Sequence, residues 1–210
     1  MKPKYAYLVG IDEAGRGCIA GPVAVSALAF KVGSLRGKQD FLKYSKEFKL
    51  RDSKKTPALK REEWLKKLQG LEREKKFKIS VSFTDNRVID KYGIIYAINK
   101  ALLSALKKLR LPSEKTLILL DGGLKAPALY KDQKTIIKGD EKEPIIALAS
   151  IAAKVSRDRL MVSKSKIFPG FNFDVHKGYG TKSHYQKIRE HGLSEIHRKS
   201  FLRRGKWAKK

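Results

Sequence analysis

Alternating and continuous apolar segments along the chain predict the strands. Residues 77–83 alternate between apolar and polar side chains, which is typical of a half-buried strand. Residues 5–11 have the aromatic and β-branched content of a strand, and the apolar run at 23–30 is consistent with a buried strand beside it, so the two predict a hairpin. A short apolar run at 115–120 predicts another strand, and residues 135–140 repeat that arrangement on a smaller scale.

Helical spacing and helix-start residues mark most of the remaining chain. Apolar residues separated by three and four positions predict amphipathic helices, and Thr-Pro or Pro at the start of a segment is typical of a first helical turn. Thr84 or Asp85 is expected to cap the helix that follows the third strand. The predicted helices run from Thr56-Pro57 to about Gly70, as one or two helices between Val88 and Leu109, from Pro144 to about Ser163, and over residues 182–190.

This order of elements predicts an α/β protein with a mixed central sheet and helices on its faces. A length of 210 residues suits one hydrophobic core.

Charge narrows the class of partner. The chain has 48 Lys and Arg against 21 Asp and Glu, a formal net charge of +27. Such a field attracts polyanions, so nucleic acid is the expected partner. Charge alone leaves open a protein from an organism with a generally basic proteome, or a basic ribosome-associated protein.

The single Cys18 excludes an internal disulfide and a cysteine zinc site, which fits a reducing cytoplasm. The longest apolar runs, residues 23–30 and 145–153, are shorter than the roughly 18 to 20 residues that span a bilayer. The N-terminus lacks the apolar region and cleavage site of a signal peptide. We therefore expect a cytoplasmic protein that does not associate with membranes.

Four acids stand at or just after the ends of predicted strands, namely Asp12, Glu13, Asp121 and Asp140. Sheet topology can bring such ends to one edge, where the carboxylates would repel unless one kept its proton or a cation bound. Mg²⁺ and Mn²⁺ prefer oxygen ligands, and paired ions roughly 3.5–4 Å apart activate water. The pattern favours a divalent-metal site. Turn or capping roles remain open for Asp121, in an Asp-Gly turn, and for Asp140, before a helix.

Glycine and arginine follow the first acids as Gly15-Arg16-Gly17. The glycines would let main chain approach a ligand, and the arginine offers a fixed fork of donors. The alternative is a strand followed by a turn with an exposed basic residue.

Two other charged groups have simpler explanations. Lys54 and Lys55 precede a predicted helix whose first amides would favour phosphate, but a solvated loop explains an isolated Lys-Lys pair as well. Asp158 lies one turn after Lys154, so an ion pair on a helix surface accounts for it and it is left out of the metal set.

Six segments in this order resemble the ribonuclease HII family, the type 2 ribonucleases H, over essentially the whole chain. One such segment would be weak support, but six in register are highly specific. They are Gly10-Ile11-Asp12-Glu13-Ala14-Gly15-Arg16-Gly17, Asp52-Ser53-Lys54-Lys55, Asp121-Gly122, Lys138-Gly139-Asp140, residues 149–158, and His176-Lys177-Gly178-Tyr179.

The resemblance implies an RNase H-like fold in which residues 1–165 form the catalytic core and residues 166–210 a substrate-binding loop and small helical extension of the same domain. It implies a monomer that hydrolyses the RNA strand of RNA–DNA hybrids and cleaves 5′ of ribonucleotides embedded in duplex DNA, leaving 3′-hydroxyl and 5′-phosphate ends. Two Mg²⁺ or Mn²⁺ ions would serve the reaction.

The resemblance also implies residue roles. The catalytic metal ligands would be Asp12, Glu13, Asp121 and Asp140. Gly15, Arg16 and Gly17 would contact the 2′-hydroxyl, and Tyr179 would stack beside the junction. The other substrate-binding residues implied are Ser53, Lys54, Lys55 and Lys177.

Three positions depart from the family pattern: Cys18 replaces a usual proline, Arg51 a usual asparagine, and Gly123 a usual asparagine. They bear on loop geometry and remove no carboxylate. Two alternatives remain: a basic nucleic-acid-binding protein without catalysis, whose acids would be placed at random, and another two-metal nuclease of the same fold.

Overall fold

The computed structural model describes residues 4–32, 41–44, 46 and 56–202. Its five strands form one mixed sheet in the order β3-β2-β1-β4-β5. β1 pairs antiparallel with β2 and parallel with β4. The predicted α/β class and the predicted hairpin are therefore confirmed. The strands are β1 (Tyr7–Ala14), β2 (Val23–Lys31), β3 (Phe77–Thr84), β4 (Thr116–Asp121) and β5 (Gln133–Ile136).

Helices cover both faces of this sheet. Those with both ends among the described residues are α1 (Ala58–Arg73), α2 (Asn86–Tyr92), α3 (Ile94–Leu109), α4 (Gly139–Lys142), α5 (Pro144–Ile167), α6 (Phe173–His176), α7 (Lys182–His191) and α8 (Lys199–Leu202), with short 3₁₀ turns at Ser113–Lys115 and Pro169–Phe171.

Three predicted helix boundaries change. Thr56 does not cap α1, because Pro57 occupies the N-cap position, where no hydrogen bond from a described side chain caps the helix. The same helix continues past Gly70, since Leu71 is buried on the sheet and its packing outweighs the low helix propensity of glycine. α5 likewise continues beyond Ser163 to Ile167.

The segment between β3 and β4 forms two helices rather than one. Gly93, with φ of 85°, separates α2 from α3. Asp85 is the cap of α2, since its carboxylate accepts a hydrogen bond of 3.0 Å from the Val88 N–H. The structure thus selects Asp85 over Thr84, the other expected cap.

Two layers of apolar side chains hold the helices to the sheet. On one face, Val9 and Ile11 of β1 pack with Leu102 and Leu106 of α3. On the other face, buried residues of β2 and β4 pack with a stripe of α5 that begins at Ile145. α5 therefore lies directly against the central strands, and its small side chains allow that close approach.

A third cluster joins the C-terminal segment to the rest of the protein. Phe171 and Phe173 pack with Ile19, which follows β1, and with Met161 of α5. The predicted boundary between residues 165 and 166 falls inside α5. The division into a core and an extension stays a prediction.

Some expectations concern residues that the structure does not describe. Arg51, Ser53, Lys54 and Lys55 lie outside the described ranges. Within those ranges, no helix has the length and apolar character needed to cross a bilayer.

The contact between β1 and α5 gives a stability prediction. A Cβ on Gly10 would overlap the backbone carbonyl of Ile145, so Gly10→Ala should lower the free energy of unfolding by about 1–3 kcal/mol. Gly70→Ala is the matched control, because a Cβ there meets no atom within 4 Å and alanine favours a helix by roughly 0.5–1 kcal/mol. Urea unfolding measures both, and equal effects of the two variants would contradict this packing.

Candidate active site

The parallel pairing of β1 with β4 brings two acids together. Gly10 lies opposite Leu119 in that register. Both residues face α5. Because side chains on a strand repeat their direction every two residues, Asp12 and Asp121 leave neighbouring strands on the same face. They stand at the carboxyl ends of these strands, the edge at which ligands bind in open α/β sheets.

A cavity of about 450 Å³ opens at this edge. It combines acidic side chains, a glycine-rich turn, basic side chains and one tyrosine. The lining residues are Asp12, Glu13, Ala14, Gly15, Arg16, Gly17, Arg61, Asp121, Ser150, Ile151, Lys154 and Tyr179.

Asp12 lies deep in the cavity and is only 5% exposed. Burial raises the pKa of Asp12 to about 8; a hydrogen bond with Ser150 opposes that shift, and the charges of Glu13 and Asp121 add to it. The Glu13 N–H donates to the Asp12 carboxylate at 2.7 Å. The protein alone therefore compensates the charge of Asp12 incompletely.

Glu13 comes from the opposite side of β1, yet its carboxylate lines the same cavity. Burial raises the pKa of Glu13, and Arg16 opposes that shift. The Arg16 Nη1 lies 3.3 Å from a carboxylate oxygen of Glu13. Residues 15–17 form a turn, the 15–17 turn. This ion pair connects that turn to the acidic side chains of the cavity.

The sequence position of Asp140 suggested that it stands at the exit of a strand, but the structure places it elsewhere. β5 ends at Ile136, Lys138 adopts a left-handed conformation with φ of 54°, and Asp140 falls in the short helix α4. It is fully buried and is not among the described residues that line the cavity. The neighbouring Gly139 N–H donates to Asp121 at 2.6 Å, so α4 contacts the acidic group through Asp121.

The chemistry of the cavity suits a hard divalent cation. Asp12, Glu13 and Asp121 offer carboxylate oxygens, and their mutual repulsion is what a cation would relieve. Among the described residues, no three acidic, histidine or cysteine side chains are already arranged around one metal position. The donor set thus fits the predicted ions, while the four-ligand assignment stays a prediction.

The two glycines of the 15–17 turn have different roles. Gly15 is buried with φ of 87°, and a Cβ there would overlap the side chain of Arg157. Gly17 is exposed and has open space where its Cβ would stand. Only Gly17 matches the expectation that glycine leaves room for a ligand, whereas Gly15 leaves room for a buried arginine.

Tyr179 lines the cavity, and the residue is 41% exposed. The Lys154 ammonium lies 5.1 Å from the ring centroid. Lys177 is positioned differently: its ammonium donates to the backbone carbonyl of Asp174, and it is not among the described cavity-lining residues. The structure therefore brings Tyr179, but not the Lys177 ammonium, to the acids.

Helix α5 supplies cavity residues that were not predicted. Ser150 and Lys154 are four residues apart and line the cavity together, and Asp158 follows after another four. Lys154 lies 2.9 Å from Asp158, which confirms the predicted ion pair. Ser150 and Lys154 are the only polar residues within 144–155, and this polar spacing in the apolar first half of the helix could have indicated them. Arg61 of α1 also lines the cavity, and no sequence pattern indicated it.

Solved structures share this fold. A chain of the PCNA:RNase HII complex from Archaeoglobus fulgidus matches with a TM-score of 0.72 at 23% identity, covering 97% of each chain. Bst-RNase HIII in complex with Mn²⁺ matches with a TM-score of 0.60 at 16% identity, covering 94% of this chain and 65% of that one. The protein thus has an RNase H-like fold, with a carboxylate-lined cavity at the edge of its sheet.

Sequence comparison identifies the family. A model of the ribonuclease HII family matches residues 9–210. Ribonuclease HII from Caldicellulosiruptor saccharolyticus is 39% identical over 203 residues, which span 97% of this chain and 90% of that protein. The chain belongs to the ribonuclease HII family and is a ribonuclease H endonuclease that acts on RNA–DNA hybrids. The alternative of a binding protein without catalysis is thereby set aside.

A chain of buried imidazoles supports the backbone of Tyr179. The Ser194 N–H donates to His197 Nδ1 at 2.9 Å, so that nitrogen is the acceptor and the His197 Nε2 carries the hydrogen. It donates to His184 Nε2 at 3.0 Å. The His184 Nδ1 then donates to the Tyr179 carbonyl at 2.8 Å. These contacts require both imidazoles to be neutral.

This chain predicts a pH dependence of stability. Burial lowers the pKa of both His184 and His197 to about 4, from 6.5. Above pH 6.5 the two histidines are unprotonated in both the folded and the unfolded protein. Between pH 6.5 and 4 they become protonated in the unfolded protein but remain neutral in the folded one. The contribution of these two histidines to the free energy of unfolding is therefore fully present above pH 6.5 and is lost as the pH falls through 4.

The expected result is a urea midpoint that falls with pH across this window, less steeply in His184→Gln. His191→Gln, at an exposed histidine, is the control and should retain the wild-type slope. Parallel slopes for all three proteins would contradict the role of the buried pair.

Proposed function

We propose that this ribonuclease HII is a divalent-metal-dependent enzyme that cleaves the RNA strand of hybrids and also cuts 5′ of ribonucleotides embedded in duplex DNA. The products would carry 3′-hydroxyl and 5′-phosphate ends. The observation that supports this proposal best is the shared cavity, in which Asp12, Glu13 and Asp121 face the 15–17 turn and Tyr179.

In this proposal the metal ligands are Asp12, Glu13, Asp121 and Asp140. When bound, two Mg²⁺ or Mn²⁺ ions supply activation of a water molecule and stabilisation of the leaving oxygen. The Glu13 amide and Ser150 orient the Asp12 carboxylate, and the Gly139 amide orients Asp121. These contacts hold the carboxylate oxygens in place before substrate arrives.

The 15–17 turn and Tyr179 would identify the ribonucleotide. Its 2′-hydroxyl is both donor and acceptor, so amide and carbonyl groups at the open Gly17 are suitable partners. Arg16 would bind the adjoining phosphate. The exposed ring of Tyr179 would pack on the following sugar, where a further hydroxyl would clash and deoxyribose is preferred.

The remaining features suit a duplex partner. Lys154 and Arg61 line the cavity and can contact backbone phosphates, and the net charge of +27 would attract a polyanion. Ser53, Lys54, Lys55 and Lys177 remain proposed substrate contacts. We further infer that the protein works in the cytoplasm as a monomer, with residues 1–165 as its catalytic core and residues 166–210 completing the substrate-binding surface.

The central test is digestion of a DNA duplex that holds one ribonucleotide. The wild-type protein should cut it on the 5′ side with Mg²⁺ or Mn²⁺ and not in EDTA. Asp12→Asn and Asp121→Asn should each abolish cleavage but keep duplex binding, because the shape of the side chain is unchanged and a ligand oxygen is lost.

Asp158→Asn is the matched control, since Asp158 pairs with Lys154 at the helix surface and should matter much less. If Asp158→Asn folds and is as inactive as Asp12→Asn, the assignment of metal ligands is wrong.

Tyr179 provides a separate test of ribonucleotide recognition. Tyr179→Ala should reduce cleavage at a single embedded ribonucleotide by about 5- to 150-fold, the equivalent of roughly 1–3 kcal/mol of ring stacking. Its thermal stability should change little, because the ring is half exposed. Tyr179→Phe keeps the ring and should retain most activity; a loss as large as that of alanine would assign recognition to the hydroxyl instead.

A further inference from the structure

Two arginines lie fully buried behind the cavity. Arg157, in α5, and Arg198, just before α8, both have no exposed surface. Backbone carbonyls accept the hydrogen bonds of both side chains. A buried guanidinium is costly unless its donors are satisfied, so the groups that accept from these two residues are informative.

Arg157 donates to three backbone carbonyls from two separate segments. Its Nε donates to Pro22 at 2.9 Å and its Nη2 to Ala20 at 3.1 Å, both in the connection between β1 and β2. Its Nη1 donates to the carbonyl of Lys177 at 2.8 Å. One planar side chain therefore joins the chain that follows the 15–17 turn to the segment that carries Tyr179.

Arg198 makes a second connection to the same region. Its Nη1 donates to the carbonyl of Arg16 at 3.0 Å, within the 15–17 turn, and its Nε donates to Gly21 at 2.9 Å. Its own N–H donates to the Ile19 carbonyl at 2.8 Å. The C-terminal segment thus holds the backbone of the 15–17 turn from within the protein.

Arg157 also lies against both the 15–17 turn and the segment that carries Tyr179. A Cβ on Gly15 would overlap the Arg157 side chain, so the 15–17 turn rests directly on this guanidinium. The Gly178 carbonyl accepts from the N–H groups of Ile19 and Ala20 at 2.9 and 3.2 Å. The Arg157 guanidinium carbon lies 6.0 Å from the Tyr179 ring centroid. The 15–17 turn and the segment that carries Tyr179 are therefore both in contact with Arg157.

We propose that Arg157 and Arg198 are positioning residues that fix the 15–17 turn relative to Tyr179, and that this spacing determines selectivity for a single ribonucleotide. The inference rests on the proposed function, in which the 15–17 turn contacts the sugar of the ribonucleotide and Tyr179 contacts the sugar that follows it. Neither arginine lines the cavity. Lysine cannot replace them, because its ammonium lacks the planar fork that reaches several carbonyls.

The two substrates should respond differently to loss of this spacing. A continuous hybrid presents a 2′-hydroxyl at every nucleotide of its RNA strand, so a displaced turn still finds a register that permits cleavage. A single embedded ribonucleotide offers one register only. A displacement of the turn should therefore lower cleavage at the single ribonucleotide much more than cleavage of the hybrid.

The experiment measures kcat and KM for both substrates with Arg157→Lys and Arg198→Lys. Arg157→Lys should lower the ratio of single-ribonucleotide to hybrid kcat/KM on the order of 10- to 100-fold. Arg198→Lys, which alters two side-chain hydrogen bonds rather than three, should lower it in the same direction and provides the answer if Arg157→Lys does not fold. Arg159→Lys is the control on the same helix, because Arg159 forms an exposed pair with Glu62, and should leave the ratio unchanged.

A double variant tests the route of the effect. If Arg157 acts through Tyr179, adding Arg157→Lys to Tyr179→Ala should lower the ratio no further than the larger single effect. If the two substitutions lower the ratio independently, so that their effects multiply in the double variant, the inference is wrong. It is also wrong if Arg157→Lys and Arg198→Lys both fold and keep the wild-type ratio of single-ribonucleotide to hybrid kcat/KM. Either result would leave the proposed function intact. Failure of the wild-type protein to cut the embedded ribonucleotide would instead overturn the proposed function and the inference with it.

Discussion

The parallel hydrogen-bonded pairing of β1 with β4 is the constraint on which the site depends. It aligns Gly10 with Leu119 and so brings Asp12 and Asp121 to one face of the sheet. An error of one residue in that register would turn one carboxylate to the opposite face. Burial then raises the pKa of Asp12, which means that part of the folding energy holds an acid where it is poorly solvated. Such a position has a physical rationale if a cation completes it.

The sequence predicted the strands and most helices well, because their signals are local. Alternation over residues 77–83 and the apolar run at 115–120 correspond to β3 and β4 with shifts of one residue or less. The position of Asp140 was predicted less well. Its place in α4 depends on the left-handed conformation of Lys138. Lysine rarely adopts that conformation, and no sequence pattern predicted it.

Long-range contacts explain the site residues that sequence analysis missed. Two glycines of the same turn have different roles, since Gly15 leaves space for Arg157 and Gly17 leaves space for solvent. Arg157 is more than one hundred residues away in the chain, so its relation to Gly15 becomes visible only in the folded protein. Arg61 and Ser150 likewise reach the cavity through the packing of their helices, which local periodicity does not specify.

Helix α5 links the stability of the core to the geometry of the site. Near its start, it packs so closely on β1 that Gly10 has no room for a side chain. That short separation places Ser150 beside Asp12, and one turn later Lys154 faces Tyr179. After another turn Arg157 supports the 15–17 turn from below. A displacement of this helix would therefore disturb the acids and the ribonucleotide-recognition elements together, so the packing that stabilises the sheet also maintains their relative positions.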